Sequence, residues 1–353
     1  MIARRLIAFF VAVGLVGISL VVRSTIVDDD TGGVSATNDG PYDLTCVDEL
    51  AEVCAGIAEA SGGRVRVIVE AAGTTAQRLA DAKSIDAAAT DGWLTLAPWP
   101  EIVAERRRFA NEAPVLGPTS GAIARSALVL AGLRERLAVL RAACDDNIDW
   151  ACVGEHAGEP WTAIGGQVAW QDVKPAHAQP LDNANGALVL GQAVTHFFTG
   201  TRPEDIGTLD FDRDGFRPWF QRLETEVPRE AFAAGADVFV PWERLNGVNF
   251  SVVGGLETQI ERAGFDEAEV LYPEPVASAD VVFAAVGDGN DGLAEFVTDS
   301  DAKSALARAA WRVPGQPLAA GLPSRDLPDG NNLPRAGTLL ALQDLWRRVV
   351  PSR

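Results

Sequence analysis

Two short segments place hydroxyl, amide and carboxylate side chains at the start of a helical pattern. Gly73-Thr74-Thr75-Ala76 follows a run of alternating apolar and polar residues and opens a helix expected over 76–82. Asp182-Asn183-Ala184-Asn185-Gly186 opens a helix expected over 186–198. The first turn of a helix has backbone N–H groups without intrahelical partners, so such a turn can hold a polar oxygen. The same residues also serve as plain helix caps, and both readings stand on residue type alone. A third turn, Asp91-Gly92-Trp93, closes a strand expected over 85–90 and reads either as a polar site or as a turn with a packed indole. Trp161, Trp170 and Trp242 fall near expected strand ends, where they can line a cleft or fill the core.

Catalytic signatures are absent. There is no Gly-x-Ser-x-Gly elbow, no phosphate loop ending in Lys-Ser/Thr and no His-Glu-x-x-His. None of the three histidines, His156, His177 and His196, lies beside an obvious Ser or Cys partner. Asp210-Phe211-Asp212-Arg213-Asp214-Gly215 matches the first half of a calcium loop. Its twelfth position is Gln221 where a bidentate Glu is needed, so a capped helix start is the better reading. The sequence thus points to no catalytic residue, no metal site and no cofactor.

The four cysteines form two pairs of equal spacing, Cys46/Cys54 and Cys144/Cys152. An even count in an exported chain favours disulfides, with three connectivities open and local pairing preferred. Cys144 ends an expected helix and Cys152 opens an expected short strand across an Asp-Asp-Asn turn, so they can meet. Cys54 lies about two turns into a helix after Cys46. Their Cα atoms would be about 10 Å apart unless that helix starts irregularly.

These residues sit on alternating strands and helices. Strands are expected at 42–47, 64–70, 85–90, 126–131, 237–240, 269–272 and 280–286, with 163–174 extended. Helices are expected at 49–60, 76–82, 133–143, 186–198, 216–226, 256–263, 304–311 and 339–349. The alternation with short turns is the pattern of a parallel α/β sheet. Residues 314–337 form a long Pro- and Gly-rich loop.

The 353 residues carry 30 basic and 49 acidic side chains, a net charge of −19. Such a balance argues against nucleic acid as a partner, which needs a basic footprint. Residues 1–27 hold Arg4, Arg5 and Arg23 and no acid, so the remainder carries −22. Residues 6–22 form an uninterrupted apolar and small run behind Arg4 and Arg5, with neither an Ala-x-Ala cleavage motif nor a lipobox Cys after it. A retained single span in the lipid bilayer is preferred over a cleaved signal. Either reading exports the bulk of the chain, behind a polar stalk at 28–41.

In this order the motifs resemble the extracytoplasmic substrate-binding domains of bacterial ABC-type transport, with the type II periplasmic-binding-protein fold, in its molybdate/sulfate-like branch. The resemblance runs from about 42 to 312. It rests on the opening strand–helix–strand at 44–69, Gly73-Thr74-Thr75 and Thr90-Asp91-Gly92-Trp93. It continues through the crossing strand at 126–131, the Pro175-Ala176-His177 and Asn183-Ala184-Asn185-Gly186 element, and Tyr272-Pro273-Glu274-Pro275. It implies two α/β lobes, one of 42–124 with 238–353 and one of 125–237, closing by a hinge on a small polar solute. The ligand-facing residues it implies are Thr74, Thr75, Asp91, Trp93, Asn183, Asn185 and Tyr272. It implies no enzyme activity, no cofactor and a membrane permease as partner. The alternative is a sensor or interaction module that keeps the fold with a degenerate cleft.

Overall fold

The computed structural model describes residues 41–287 and 291–350. The anchor expected at 6–22 and all but the last residue of the stalk lie outside the described residues. Among the described residues no helix is long and apolar enough to cross a membrane.

The described strands, in chain order, are β1 (Tyr42–Cys46), β2 (Val65–Val69), β3 (Gly92–Leu96), β4 (Leu116–Thr119), β5 (Ala124–Leu133), β6 (Pro175–Ala176), β7 (Val252–Leu256), β8 (Ala268–Leu271) and β9 (Ser278–Val286). β1 pairs in parallel with β2 and β3, and β9 runs antiparallel to β3, giving a first sheet of order β2-β1-β3-β9-β5. β5 is long and serves two sheets. Its first residues, Ala124–Ala127, pair with Val281–Ser278 of β9. Its remainder pairs with β7 on one side and β8 on the other, and β6 extends that second sheet beside β7. The run Ala127–Ala131 is completely buried, as expected of an apolar strand covered on both faces.

The mixed α/β class holds, and several elements differ from expectation. Residues 85–90 contain a 3-10 turn, Asp86–Ala88, and the strand begins at Gly92. Residues 237–240 lead into the helix Phe239–Arg244, and 163–174 contains two 3-10 turns rather than an extended run. The strand β7, with its two glycines, carried no clear alternation. Because β7 and β8 pair with β5, the stretch 252–271 stays with the second sheet. The chain rejoins the first sheet at β9.

Helices cover both sheets. Ala51–Ala60 packs on Ser300–Arg308, and Ala72–Asp81 on Trp99–Phe109. The C-terminal helix Ala336–Val349 lies against Trp99–Phe109, Ala184–Phe197 and Phe216–Thr225. Trp161 and Trp242 are completely buried and belong to the core, and the half-buried Trp170 packs edge-on against Trp161 at 5.4 Å.

Both cysteine pairs are disulfides. Cys46 and Cys54 have Cα atoms 6.6 Å apart because a 3-10 turn, Asp48–Leu50, precedes the α-helix. Cys152 lies in the helix Trp150–His156, not in a strand, and its N–H is capped by Asp149 Oδ1 at 3.0 Å.

Candidate functional site

The turn after β1 brings Glu49 inward. Its side chain is buried, and Oε1 accepts the backbone N–H of Asn185 at 2.9 Å. Asn185 lies in the first turn of Ala184–Phe197, the helix that follows β6 of the second sheet. Two further bonds land on the same short segment. Gly73 N–H donates to Asp182 O at 2.9 Å, and the Trp99 indole N–H donates to Ala184 O at 3.3 Å. Three elements following first-sheet strands thus converge on residues 182–185. We call this junction the seam.

Close approach at the seam depends on glycine. A Cβ on Gly73 would lie 2.1 Å from Leu181 O and 2.8 Å from Asp182 Cα, both backbone atoms. Behind the seam, Asn185 Nδ2 donates to Ala236 O at 2.8 Å and to Gln259 Oε1 at 3.0 Å. Gln259 Nε2 donates to Ala236 O at 2.6 Å, and its Oε1 also accepts from Leu256 N. Two oxygens remain without a hydrogen-bond partner though fully buried: Glu49 Oε2 and Asn185 Oδ1.

Burial pushes the Glu49 carboxyl up to about 7, with the neighbouring Asp48 charge adding to the rise. The N–H groups of Asn185 and Ala184 oppose it. The carboxylate occupies the positive end of a helix. An anionic ligand at that end must first displace Glu49.

The expected ligand-facing residues divide. Asn183 and Asn185 are at the seam, and Asn183 Nδ2 bonds back to Gln179 O at 3.3 Å. Gly73, Thr74 and Thr75 lie within the first turn of Ala72–Asp81, where neither Thr caps the helix. Thr74 is exposed and lines a cavity of about 530 Å³ with Gln77, Arg106, Asp182 and Arg347. Thr75 is buried, and its hydroxyl donates to Glu70 at 2.6 Å.

Asp91 lies at the opposite end of the sheet. It precedes β3, and its Oδ2 accepts Asp43 N at 2.7 Å beside the start of β1. Trp93 is completely buried within β3. Tyr272 donates its hydroxyl to Glu257, which Arg312 holds in two bonds of 2.8 Å. Tyr272 therefore belongs to a buried ionic cluster rather than to the seam.

Glu49, Trp99 and Gln259 were not anticipated. Gln259 accepts the Leu256 N–H from three residues along, but with Leu at the N-cap the sequence carried no capping-box signature to mark it. An Asp-Glu pair at a helix start ordinarily marks an exposed first turn, so Glu49 gave no such warning.

Cys144, Cys152 and His156 converge, but both sulfurs are committed to a disulfide and offer no thiolate. In the calcium-like stretch, Asp210 accepts Gly207 N and Asp212 pairs with Arg217 at 2.7 Å.

No protein-family model and no curated protein matches the chain. Solved structures do. The chain is similar to the periplasmic binding protein AfuA from Actinobacillus pleuropneumoniae, with 14% identity, 89% of this chain and 97% of that chain covered, and a TM-score of 0.54. It is similar to the periplasmic binding protein P5PA, with 14% identity, 88% and 100% covered, and a TM-score of 0.56. An ABC transporter substrate-binding protein from Bradyrhizobium japonicum matches at 10% identity, 88% and 100% covered, and a TM-score of 0.53. The chain has the fold of these periplasmic substrate-binding proteins.

Proposed function

We propose that this protein is an extracytoplasmic solute-binding protein that captures a small polar ligand at the seam by hinged parting and closing. The hinge is the pair of strands β5 and β9, and residues 6–22 tether the protein to the membrane, where it serves an ABC-type permease. Its role is binding, not catalysis. The observation that carries this reading is the convergence of three hydrogen bonds from first-sheet elements on residues 182–185. These polar contacts exchange for water or solute, while Leu50, Trp99, Ala184 and Leu188 beside them share one buried apolar cluster that parting must also open. The two disulfides support the extracytoplasmic setting. The three neighbours described above are binding proteins by name, which supports the same reading.

The molybdate/sulfate-like branch draws no support from the seam, because the helix start that would receive an oxyanion already holds Glu49. That observation favours a second reading, an interaction module whose cleft has closed on itself.

A thermal-shift screen of the full chain against oxyanions, sugars, amino acids, amines and peptides tests the proposal. A solute at a hundred times its Kd stabilises the folded state by about 2.7 kcal/mol. A raised midpoint with one class supports the receptor. No shift with any class at millimolar concentration rejects it in favour of the module.

A further inference from the structure

Resting on the solute-binding reading, we propose that the solute held at the seam carries a cationic hydrogen-bond donor, an ammonium or guanidinium group, which bonds Glu49 Oε2 and Asn185 Oδ1.

The argument is an inventory of donors and acceptors. The side-chain donors of Asn185, Gln259 and Trp99 and the amides of Gly73 and Asn185 are each bonded: Asn185 N to Glu49, Asn185 Nδ2 to Ala236 and Gln259, Gln259 Nε2 to Ala236, Trp99 Nε1 to Ala184, and Gly73 N to Asp182. What remains unmatched is two acceptors, one of them on a carboxylate. Oxyanion sites need the reverse, a set of unspent N–H and O–H groups facing the ligand. Here the helix start that would supply them already holds a carboxylate.

An ammonium has three donors and no acceptor, and a guanidinium has five donors. Either one matches two bare acceptors and neutralises a buried charge. The net charge of −19 concentrates cations near the chain and repels anions. Both oxygens are shut from solvent, so the solute enters with the faces parted, and its donor comes between the two oxygens on closing.

Isothermal titration calorimetry of the full chain at pH 8 tests this. The probes are 1,4-diaminobutane, lysine and arginine, with sulfate, molybdate and glucose as the opposed classes. At least one amine or guanidinium probe is expected to bind below millimolar Kd. Glu49→Gln, with its fold checked by circular dichroism, is expected to weaken that binding at least 30-fold. In the wild-type chain, the same affinity is expected to fall about tenfold from pH 8 to pH 6 as Glu49 takes up its proton, a check that needs no variant.

Binding of sulfate, molybdate or glucose in place of the cations overturns the inference and leaves the receptor standing. So does cation binding that is indifferent to both Glu49→Gln and pH. Silence from every probe here and every class in the thermal-shift screen overturns the receptor reading itself.

Discussion

Glu49 Oε1 accepts the backbone N–H of Asn185 at 2.9 Å, so a carboxylate following the first strand caps a helix that follows the second sheet. One hydrogen bond thereby links a buried charge, a helix start and the junction between two sheets. Its energetics are opposed. The helix end favours the anion, and burial disfavours it more, which raises the Glu49 carboxyl to about 7.

The folded protein therefore binds this proton more tightly than the unfolded chain, where a Glu titrates near 4.5. Stability falls as pH rises from about 4.5 to about 7, by about 3 kcal/mol in total for this group. Urea unfolding of the wild type and Glu49→Gln across pH 4.5–8 measures the difference. The wild type should lose about 3 kcal/mol relative to the variant over that window. Parallel profiles would contradict the buried, raised carboxyl.

Gly73→Ala separates local from seam effects. Alanine favours a helix by about 1 kcal/mol over glycine. Its Cβ would strike Leu181 O and Asp182 Cα, which are backbone and can yield only by parting the seam. The expected outcome is a folded protein destabilised by about 1–2 kcal/mol, typical of overpacking, with a larger radius of gyration in solution scattering. Unchanged stability and size would show that the seam is already open in solution.

The buried pair Arg312–Glu257, with Tyr272 on the same carboxylate, ties the second sheet's helix start to the segment after Ser300–Arg308. Arg312→Met strands Glu257 and should cost about 3–5 kcal/mol. Adding Glu257→Gln should restore more than half of that loss. Denaturant midpoints of the two variants decide it, and equal losses would mean that the charge is not what matters.

His177 places both ring nitrogens within reach of acceptors, Ala178 O at 2.8 Å and Glu224 Oε1 at 3.3 Å, an arrangement that favours the protonated ring. Burial alone would lower its pKa. The Glu224 charge and the two hydrogen bonds outweigh burial and hold it above the ordinary 6.5. The pair's contribution is full below pH 6.5 and fades as pH rises through the raised value. An NMR titration should place His177 above 6.5, and a value below it would reject the pairing.

Much of the fold was readable because its signals are local. The alternation in β2, the apolar run of β5 and the helical spacing before Ile57 each encode an element directly. The site was less readable because it is assembled across long separations. Asn185 meets Glu49 over 136 positions, and nothing near Glu49 marks it as buried. Asp91 was misplaced by one element: reading the strand as ending at Thr90, rather than starting at Gly92, sends it to the wrong end of the sheet. Tyr272 was placed at the ligand by resemblance, and it is Glu257 that claims its hydroxyl.

Hydrogen exchange at the amides of Gly73 and Asn185 tests the central claim most directly, because these two N–H groups donate two of the seam's three hydrogen bonds. If the seam opens without unfolding, both exchange at least a hundredfold faster than the amides of β5, and their rates stay insensitive to mild denaturant. A bound solute then slows both. If both exchange only at the rate of global unfolding, the seam is a fixed core interface and the hinged receptor is contradicted.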